Sequence, residues 1–127
     1  MLSGYTKRNV IQVSKNFKST EFDCKCKGYC SITLIDSKLV HCLQQIREHF
    51  NSPVIINSGF RCARHNRDVG GARGSQHLYG RAADIVVKGV KPSVVADYCE
   101  AIGMGGIGRY ATFTHIDVRD KKARWQG

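Results

Sequence analysis

The sequence predicts a single α+β domain over residues 1–127, in which a small antiparallel sheet of about four strands carries two main helices. Three observations lead to this fold class. A length of 127 residues is typical of one ordinary domain. A hydrophobic fraction of 42% with only two prolines fits one apolar core and excludes extensive disorder. Helix-like and strand-like segments also follow one another without the regular repeat of a parallel βαβ fold.

The amino-terminal part has the weakest patterns. Residues 9–13 have weak strand character, and residues 14–31 are predicted to form an irregular Cys-rich arm. The first helix is predicted from about residue 36 to residue 50. Asp36 is a suitable N-cap for it, and apolar side chains then recur every three or four residues. The segment that ends in Pro53 terminates this helix.

The remaining elements follow a clear order. Residues 54–56 are β-branched and typical of a buried strand. A loop rich in Gly and Arg follows over residues 58–80, with about one turn of helix near residues 63–69. The last predicted elements are a strand at 82–87, a helix from Pro92 to just before Gly103, and closing strands at 106–110 and 114–118.

The chain is strongly basic, with 20 Lys and Arg against 10 Asp and Glu and a net charge of +10. Such a surplus predicts a polyanionic partner, for which nucleic acid, an anionic membrane and an anionic bacterial cell wall all qualify, and charge alone does not choose among them. No basic stripe is interleaved with aromatic residues, which argues against nucleic acid.

No apolar run is long enough to span a bilayer, and no secretory signal follows Lys7 and Arg8. We therefore expect a monomer that is made in the cytoplasm without a signal peptide.

The segment from Ser75 to Asp84 carries the most informative side chains. His77 and Asp84 lie seven residues apart, and His115 lies on a later predicted strand. Imidazole and carboxylate groups are good zinc ligands, and three protein ligands with one open position are typical of a catalytic zinc site. Each residue alone has an ordinary alternative, such as a surface histidine or a turn-capping aspartate. The zinc hypothesis therefore depends on the whole set.

The pattern around these residues resembles the zinc D-Ala-D-Ala carboxypeptidase family. Its signature, S-x-H-x-x-G-x-A-x-D, is matched by Ser75, His77, Gly80, Ala82 and Asp84. Blocks at 58–72 and 105–125 also look like those of the family, so the resemblance covers about residues 17–125. The family includes L-Ala-D-Glu endolysins of phages, and its fold resembles that of the hedgehog signalling domain. The same hedgehog-like fold is therefore expected here.

The resemblance implies roles for individual residues. His77, Asp84 and His115 would be the zinc ligands, with one catalytic Zn²⁺ as cofactor. Arg61 would bind a substrate carboxylate, for which a permanently charged, bidentate guanidinium is well suited. Ser75 would hydrogen-bond the substrate backbone. The alternatives are a surface arginine and a serine that only terminates a turn.

One position departs from the family pattern. Relatives usually carry Glu, Asp or His three residues before the last ligand as a general base, and here that position is Thr112. Asp117 is the nearest substitute, because side chains two apart on a strand point to the same face and Asp117 therefore faces the same way as His115. It could act as the base or orient a ligand imidazole, and both alternatives stay open. His65 and Tyr110 are weaker candidates for proton transfer or for stabilising the oxyanion.

Six cysteines are a high number for this length. Four of them are predicted to lie near the arm and the following loop: Cys24, Cys26, Cys30 and Cys62. They are candidates for a second, structural zinc, because structural sites close all four positions. Disulfides formed in an oxidising wall and free thiols are the alternatives. Cys42 and Cys99 lie on the apolar faces of the two helices and are predicted to be buried, inert thiols.

The function implied by the resemblance is that of a zinc metallopeptidase. It would hydrolyse peptidoglycan stem peptides, either as a D-Ala-D-Ala carboxypeptidase or as an L-Ala-D-Glu endopeptidase. A chain without a signal fits a phage or prophage lysin that reaches the wall through a separate membrane lesion. Because Thr112 cannot act as a base, a non-catalytic, hedgehog-like zinc module that binds a peptide is the first alternative. A phage structural component is the second.

Overall fold

The computed structural model describes residues 1–127 and has α+β architecture, as predicted. The chain contains nine strands and three α-helices. In order they are β1 (Leu2–Thr6), β2 (Gln12–Ser14), β3 (Phe17–Lys18), β4 (Ile32–Asp36), α1 (Ser37–Phe50), β5 (Val54–Ser58), α2 (Ala63–Asp68), β6 (Ala82–Val87), α3 (Pro92–Ala101), β7 (Gly106–Arg109), β8 (Thr114–Asp117) and β9 (Ala123–Gln126). Short 3₁₀ turns lie at Ser19–Phe22 and Gln76–Tyr79. No helix is long and apolar enough to cross a membrane.

The central sheet has five strands in the order β5-β6-β8-β7-β9, one more than the four predicted. The pairs from β5 to β7 are antiparallel, whereas β7 and β9 run parallel. β9 was missed because its sequence is short and polar. It is held by hydrogen bonds that sequence patterns do not reveal, including those from Arg124 to the carbonyl oxygens of Met104 and Gly105.

Helices α1 and α3 pack against each other and against the central sheet. Asp36 caps α1 as predicted, since its carboxylate accepts a hydrogen bond from the amide of Lys38 at 2.9 Å. The core includes apolar side chains from both helices and from alternating strand positions: Leu39, Leu43, Ile46, Val95, Cys99, Ala83, Ile85, Ile107 and Ile116. Cys42 and Cys99 are buried there, as predicted. The intervening residues of β6 and β8 therefore point to the opposite face of the sheet, which we call the site face.

The amino-terminal part is more regular than the sequence predicted. β1 pairs with β4 along the whole length of both strands, and neither strand was predicted. Of the strand predicted at 9–13, only residues 12 and 13 belong to a strand, the short β2. The arm at 14–31 is not wholly irregular, because it contains β3 and a 3₁₀ turn. Its Phe17 and Phe22 are each only 1% exposed and belong to the main core, so burial fixes the start of the arm.

Candidate metal centre

Three side chains converge on the site face. His77 lies in the second 3₁₀ turn, Asp84 on β6 and His115 directly opposite Asp84 on β8. All three residues are buried, and their ligand atoms lie within 4.8 Å of one another. Gly80 makes this arrangement possible, because it adopts φ +68 and passes so close to the backbone of Leu34 that no Cβ would fit. The structure thus brings together the three predicted zinc ligands.

Hydrogen bonds fix the orientation of both imidazole rings. His77 donates from Nδ1 to the carbonyl oxygen of Gly59 at 2.7 Å, so its Nε2 lone pair faces Asp84 Oδ1 at 3.2 Å. His115 Nε2 lies 2.8 Å from Asp117 Oδ2, and its Nδ1 lies 2.9 Å from Asp84 Oδ1. A neutral His115 that donates to Asp117 also directs a lone pair at Asp84. Each ring therefore offers one nitrogen to a common point.

These atoms fit a zinc ion. Two imidazole nitrogens and a carboxylate oxygen all present lone pairs to the same small region, and such acceptors repel one another unless a proton or a cation lies between them. Two His and one carboxylate are a ligand set of catalytic zinc. An open cleft of about 350 Å³ lies in front of the ligands, so a fourth position is accessible from solvent.

The electrostatics keep the ligand carboxylate ionised. When no metal is bound and the rings carry protons on the nitrogens that face Asp84, they donate to its carboxylate; burial raises the pKa of Asp84, but these hydrogen bonds with His115 and His77 have the larger combined effect and hold the pKa well below its usual range. Arg61 adds a hydrogen bond from Nη2 to Asp84 Oδ2 at 3.2 Å. For His115, burial lowers the pKa, whereas the hydrogen bonds with Asp117 and Asp84 raise it to a value above the usual one. Asp84 is therefore in the deprotonated form that metal binding needs.

Asp117 lies behind His115 and does not line the cleft. Its carboxylate is fully buried and accepts four hydrogen bonds, three from Arg119 and one from His115. Burial raises the pKa of Asp117, but the bonds with His115 and Arg119 lower it well below its usual range. A Cβ at Gly106 would overlap this carboxylate, so a glycine is required beside it. This geometry favours the orienting role over the role of general base.

The residues expected to contact substrate lie in the cleft. Arg61 is held by Ser58, Asn66 and Asp84, each bound to a different guanidinium nitrogen. Two of its five N–H groups stay free for a substrate carboxylate. Ser75 lines the cleft, and its Oγ accepts a hydrogen bond from the amide of His77 at 3.2 Å. Ser75 thus caps the turn that carries a ligand, while its own hydroxyl proton remains available.

The two weaker candidates for proton transfer lie in different places. His65, on α2, lines a separate surface pocket with Lys25 and Cys26. Tyr110 lines the metal cleft, and its hydroxyl oxygen accepts a hydrogen bond from Trp125 Nε1 at 2.9 Å. Its ring stacks on Phe113 with centroids 4.3 Å apart. Tyr110 is therefore the one of the two that faces the cleft.

Sequence reasoning missed three contributors to the site. Arg119 pairs with Asp117, and a signal for it existed, because residues two apart on an extended segment share a face. Trp125 packs on the His115 ring with centroids 4.9 Å apart. The third contributor is the Gly59 carbonyl oxygen, which orients His77. No sequence pattern could have revealed a single backbone oxygen.

The fold and the site together define a class of protein. A small α+β domain with two imidazoles and one carboxylate at the floor of an open cleft has the ligand set of the mononuclear zinc hydrolases. The comparisons with known proteins agree. A family model described as Peptidase M15 matches residues 15–117, and the chain belongs to this family. The family suspected from the sequence is thereby confirmed.

Two curated relatives are similar to parts of the chain. The zinc D-Ala-D-Ala carboxypeptidase of Streptomyces albus G is 49% identical over 35 residues, which are 28% of this chain and 14% of the relative. The probable peptidoglycan L,D-endopeptidase MepK of Haemophilus influenzae (strain ATCC 51907 / DSM 11121 / KW20 / Rd) is 31% identical over 84 residues. These are 61% of this chain and 45% of the relative. The chain thus spans less than half the length of either relative that it matches.

Proposed function

We propose that this domain is a zinc-dependent peptidase that hydrolyses stem peptides of peptidoglycan. The observation that carries the proposal is the convergence of His77, Asp84 and His115 beside an open cleft in a chain of the M15 family. The substrate class is supported by the names of the relatives, one a D-Ala-D-Ala carboxypeptidase and the other a probable peptidoglycan endopeptidase. Cleavage at D-Ala-D-Ala or at L-Ala-D-Glu, and a role as phage lysin, are the finer parts of this proposal.

The three ligands would hold the zinc ion, and the surrounding residues would orient these ligands. When bound, zinc supplies an activated water molecule and polarises the carbonyl group of the scissile amide. Asp117 acts as a positioning residue, because it fixes the His115 ring and is itself fixed by Arg119. A hydrogen-bonded carboxylate behind an imidazole also makes the ring a better ligand.

The cleft supplies the contacts for a peptide. Arg61 directs its two free N–H groups at a substrate carboxylate, which a stem peptide offers at its terminus or on D-Glu. Ser75 donates its hydroxyl proton to a backbone carbonyl. Tyr110, whose oxygen is already held by Trp125, directs its own proton into the cleft toward the oxygen on which negative charge develops. Tyr110 is therefore the candidate for stabilising that oxygen, a role distinct from that of the general base that Thr112 cannot supply.

Mass spectrometry of defined muropeptides tests the proposal. Zinc-loaded protein should release either a terminal D-Ala or a fragment cut after L-Ala, and the product mass identifies the bond. His77→Ala should abolish product formation, whereas His65→Ala, on the other pocket, should leave it unchanged. A protein that holds zinc at the three ligands, binds muropeptide and yields no product would contradict the proposal in favour of the peptide-binding module.

A further inference from the structure

A second cluster of metal-ligating groups lies outside the cleft. It consists of the sulfur atoms of Cys24, Cys26, Cys30 and Cys62, all of which lie within 4.8 Å of one another. The first three cysteines belong to the arm, and Cys62 immediately precedes α2. The four residues are free thiols, buried or half-buried. The fold therefore gathers four soft ligands from two separate segments of the chain.

The distances in this cluster match a tetrahedral ion. The Cys24 and Cys62 sulfurs are 3.7 Å apart, and those of Cys26 and Cys30 are 3.6 Å apart. Four sulfurs that each lie 2.3 Å from a central zinc are separated by about 3.8 Å. Disulfide-bonded sulfurs are about 2.05 Å apart. The observed spacing thus leaves room for an ion at the centre.

Donors surround the sulfurs, as thiolate ligands require. The amide of Cys62 donates to Cys24 Sγ at 3.3 Å. Lys7 Nζ lies 3.2 Å from Cys26 Sγ and 3.7 Å from Cys30 Sγ. A zinc ion with four thiolates carries a net charge of −2, so a lysine at this distance offsets part of that charge. Donors that hydrogen-bond to metal ligands in this way commonly stabilise them.

We propose that Cys24, Cys26, Cys30 and Cys62 bind a structural zinc ion that fastens the Cys-rich arm to the loop beside the catalytic cleft. The ion differs from the one in the cleft, since all four of its positions are closed by thiolates. The proposal does not depend on peptidase activity. It goes beyond the family assignment, which by itself says nothing of a second ion.

The position of the cysteine cluster links the arm to the metal ligands of the cleft. Phe22 lies two residues before Cys24, and its carbonyl oxygen accepts the amide of Phe60 at 2.9 Å. The neighbouring Gly59 packs so tightly on the Phe22 backbone that a Cβ would overlap it. Gly59 in turn orients His77 through its carbonyl oxygen. The arm therefore supports the loop that orients a ligand of the first metal.

Metal analysis of separate variants tests the proposal. Protein purified under reducing conditions and loaded with zinc should hold about two ions per chain, one in each ligand set. His77→Ala and Cys30→Ser should each retain about one. Cys42→Ser, which changes a buried thiol outside both clusters, should retain both. A single ion in the wild type, absent from His77→Ala, would overturn the proposal.

Cobalt substitution keeps the test decisive if Cys30→Ser fails to fold. Cobalt-loaded His77→Ala should show the thiolate-to-cobalt absorption of a tetrahedral sulfur site, and Lys7→Gln should weaken cobalt binding at this site without removing it. Zinc should also protect four thiols of the folded protein from alkylation. Four freely alkylated thiols in the presence of zinc, or two disulfides among these cysteines in protein isolated without added reductant or oxidant, would contradict the proposal.

Discussion

Asp117 is the residue whose role the structure narrows most. It accepts a hydrogen bond from His115 and three from Arg119 while lying outside the cleft. Asp117→Asn should therefore weaken zinc affinity by about 10- to 100-fold, because an amide orients the imidazole less well and does not increase its basicity. Excess zinc should restore much of the hydrolytic rate. A titration of activity against free zinc, with affinity measured by chelator competition, checks both expectations.

The matched control for this change is Asp120→Asn, which removes a carboxylate that is exposed and close in sequence. It should alter neither zinc affinity nor rate. A general base would behave differently, since its loss lowers kcat by roughly 10²- to 10⁴-fold at any zinc concentration. If Asp117→Asn keeps full zinc affinity and shows that unrescued loss of rate, the orienting role is wrong.

His115 gives the metal-free protein a distinct pH dependence. Burial lowers its pKa, but the hydrogen bonds with Asp117 and Asp84 raise it above the ordinary value of 6.5. A group with a raised folded pKa stabilises the fold at pH values below its unfolded pKa, and this contribution is lost as the pH rises through the folded pKa. The free energy of unfolding of stripped protein should therefore decline from about pH 6.5 upward.

Two measurements check this expectation. Nuclear magnetic resonance of the stripped protein should give a His115 pKa above that of an exposed histidine, and Asp117→Asn should lower it. Urea unfolding over the same pH range should show the decline in the wild type and a smaller decline in the variant. A His115 pKa at or below its ordinary value in stripped wild-type protein would show that burial outweighs the two carboxylates.

Among the structural elements, the loop at 58–62 connects the arm with the metal ligands. At Gly59 a new Cβ would lie 2.8 Å from the Cα of Phe22, so the backbone itself must move. Gly59→Ala should therefore destabilise the fold by about 1–3 kcal/mol, the usual cost of overpacking. It should also weaken zinc binding at His77, because the carbonyl oxygen that orients this ring is displaced.

Gly74→Ala is the control for this change. Gly74 lies in the following loop, and a Cβ there meets no atom within 4 Å. It should leave both unfolding free energy and zinc affinity near their wild-type values. Chemical denaturation and zinc titration of the two variants give the comparison. Equal behaviour of Gly59→Ala and Gly74→Ala would mean that the arm does not constrain the ligand loop.

The elements that sequence predicted well are those with local signals. α1 follows from the Asp36 cap and a helical repeat of apolar residues. Of the three residues that the structure brings together, His77 and Asp84 belong to one compact motif, whereas His115 lies on a separate strand. The pairing of β1 with β4 and the addition of β9 were missed, because they depend on contacts between distant segments. The orientation of Asp117 was open for the same reason. Its decisive partner is the Arg119 side chain, whose direction only the folded structure shows.

At the scale of the whole molecule, the positive charge is largely unpaired. No lysine forms an ion pair with a carboxylate, and the ion pairs of the side chains involve five arginines and two histidines. The net charge of +10 therefore acts at long range. If the substrate is peptidoglycan, the electrostatic attraction by this net charge would concentrate the protein on an anionic wall, whether or not the cleft has bound a peptide.

Wall binding should consequently depend on salt, whereas cleavage of a small soluble muropeptide should not. Retention on purified anionic walls should fall steeply as salt rises past about 0.15 M, where the Debye length is about 8 Å. The double variant Lys121→Glu/Lys122→Glu, which reverses two exposed charges that belong to neither metal cluster, should bind walls more weakly at low salt. Its kcat on soluble muropeptide should match the wild type.

The variant Lys121→Arg/Lys122→Arg is the matched control, because it keeps the charge while changing the side chains. It should retain wall binding and the salt dependence of the wild type, since long-range attraction depends on net charge rather than on specific contacts. Retention that is insensitive to salt, or equal in the Glu and Arg variants, would show that the wall is held by the cleft alone. The basic surface would then need another explanation, such as a different polyanionic partner.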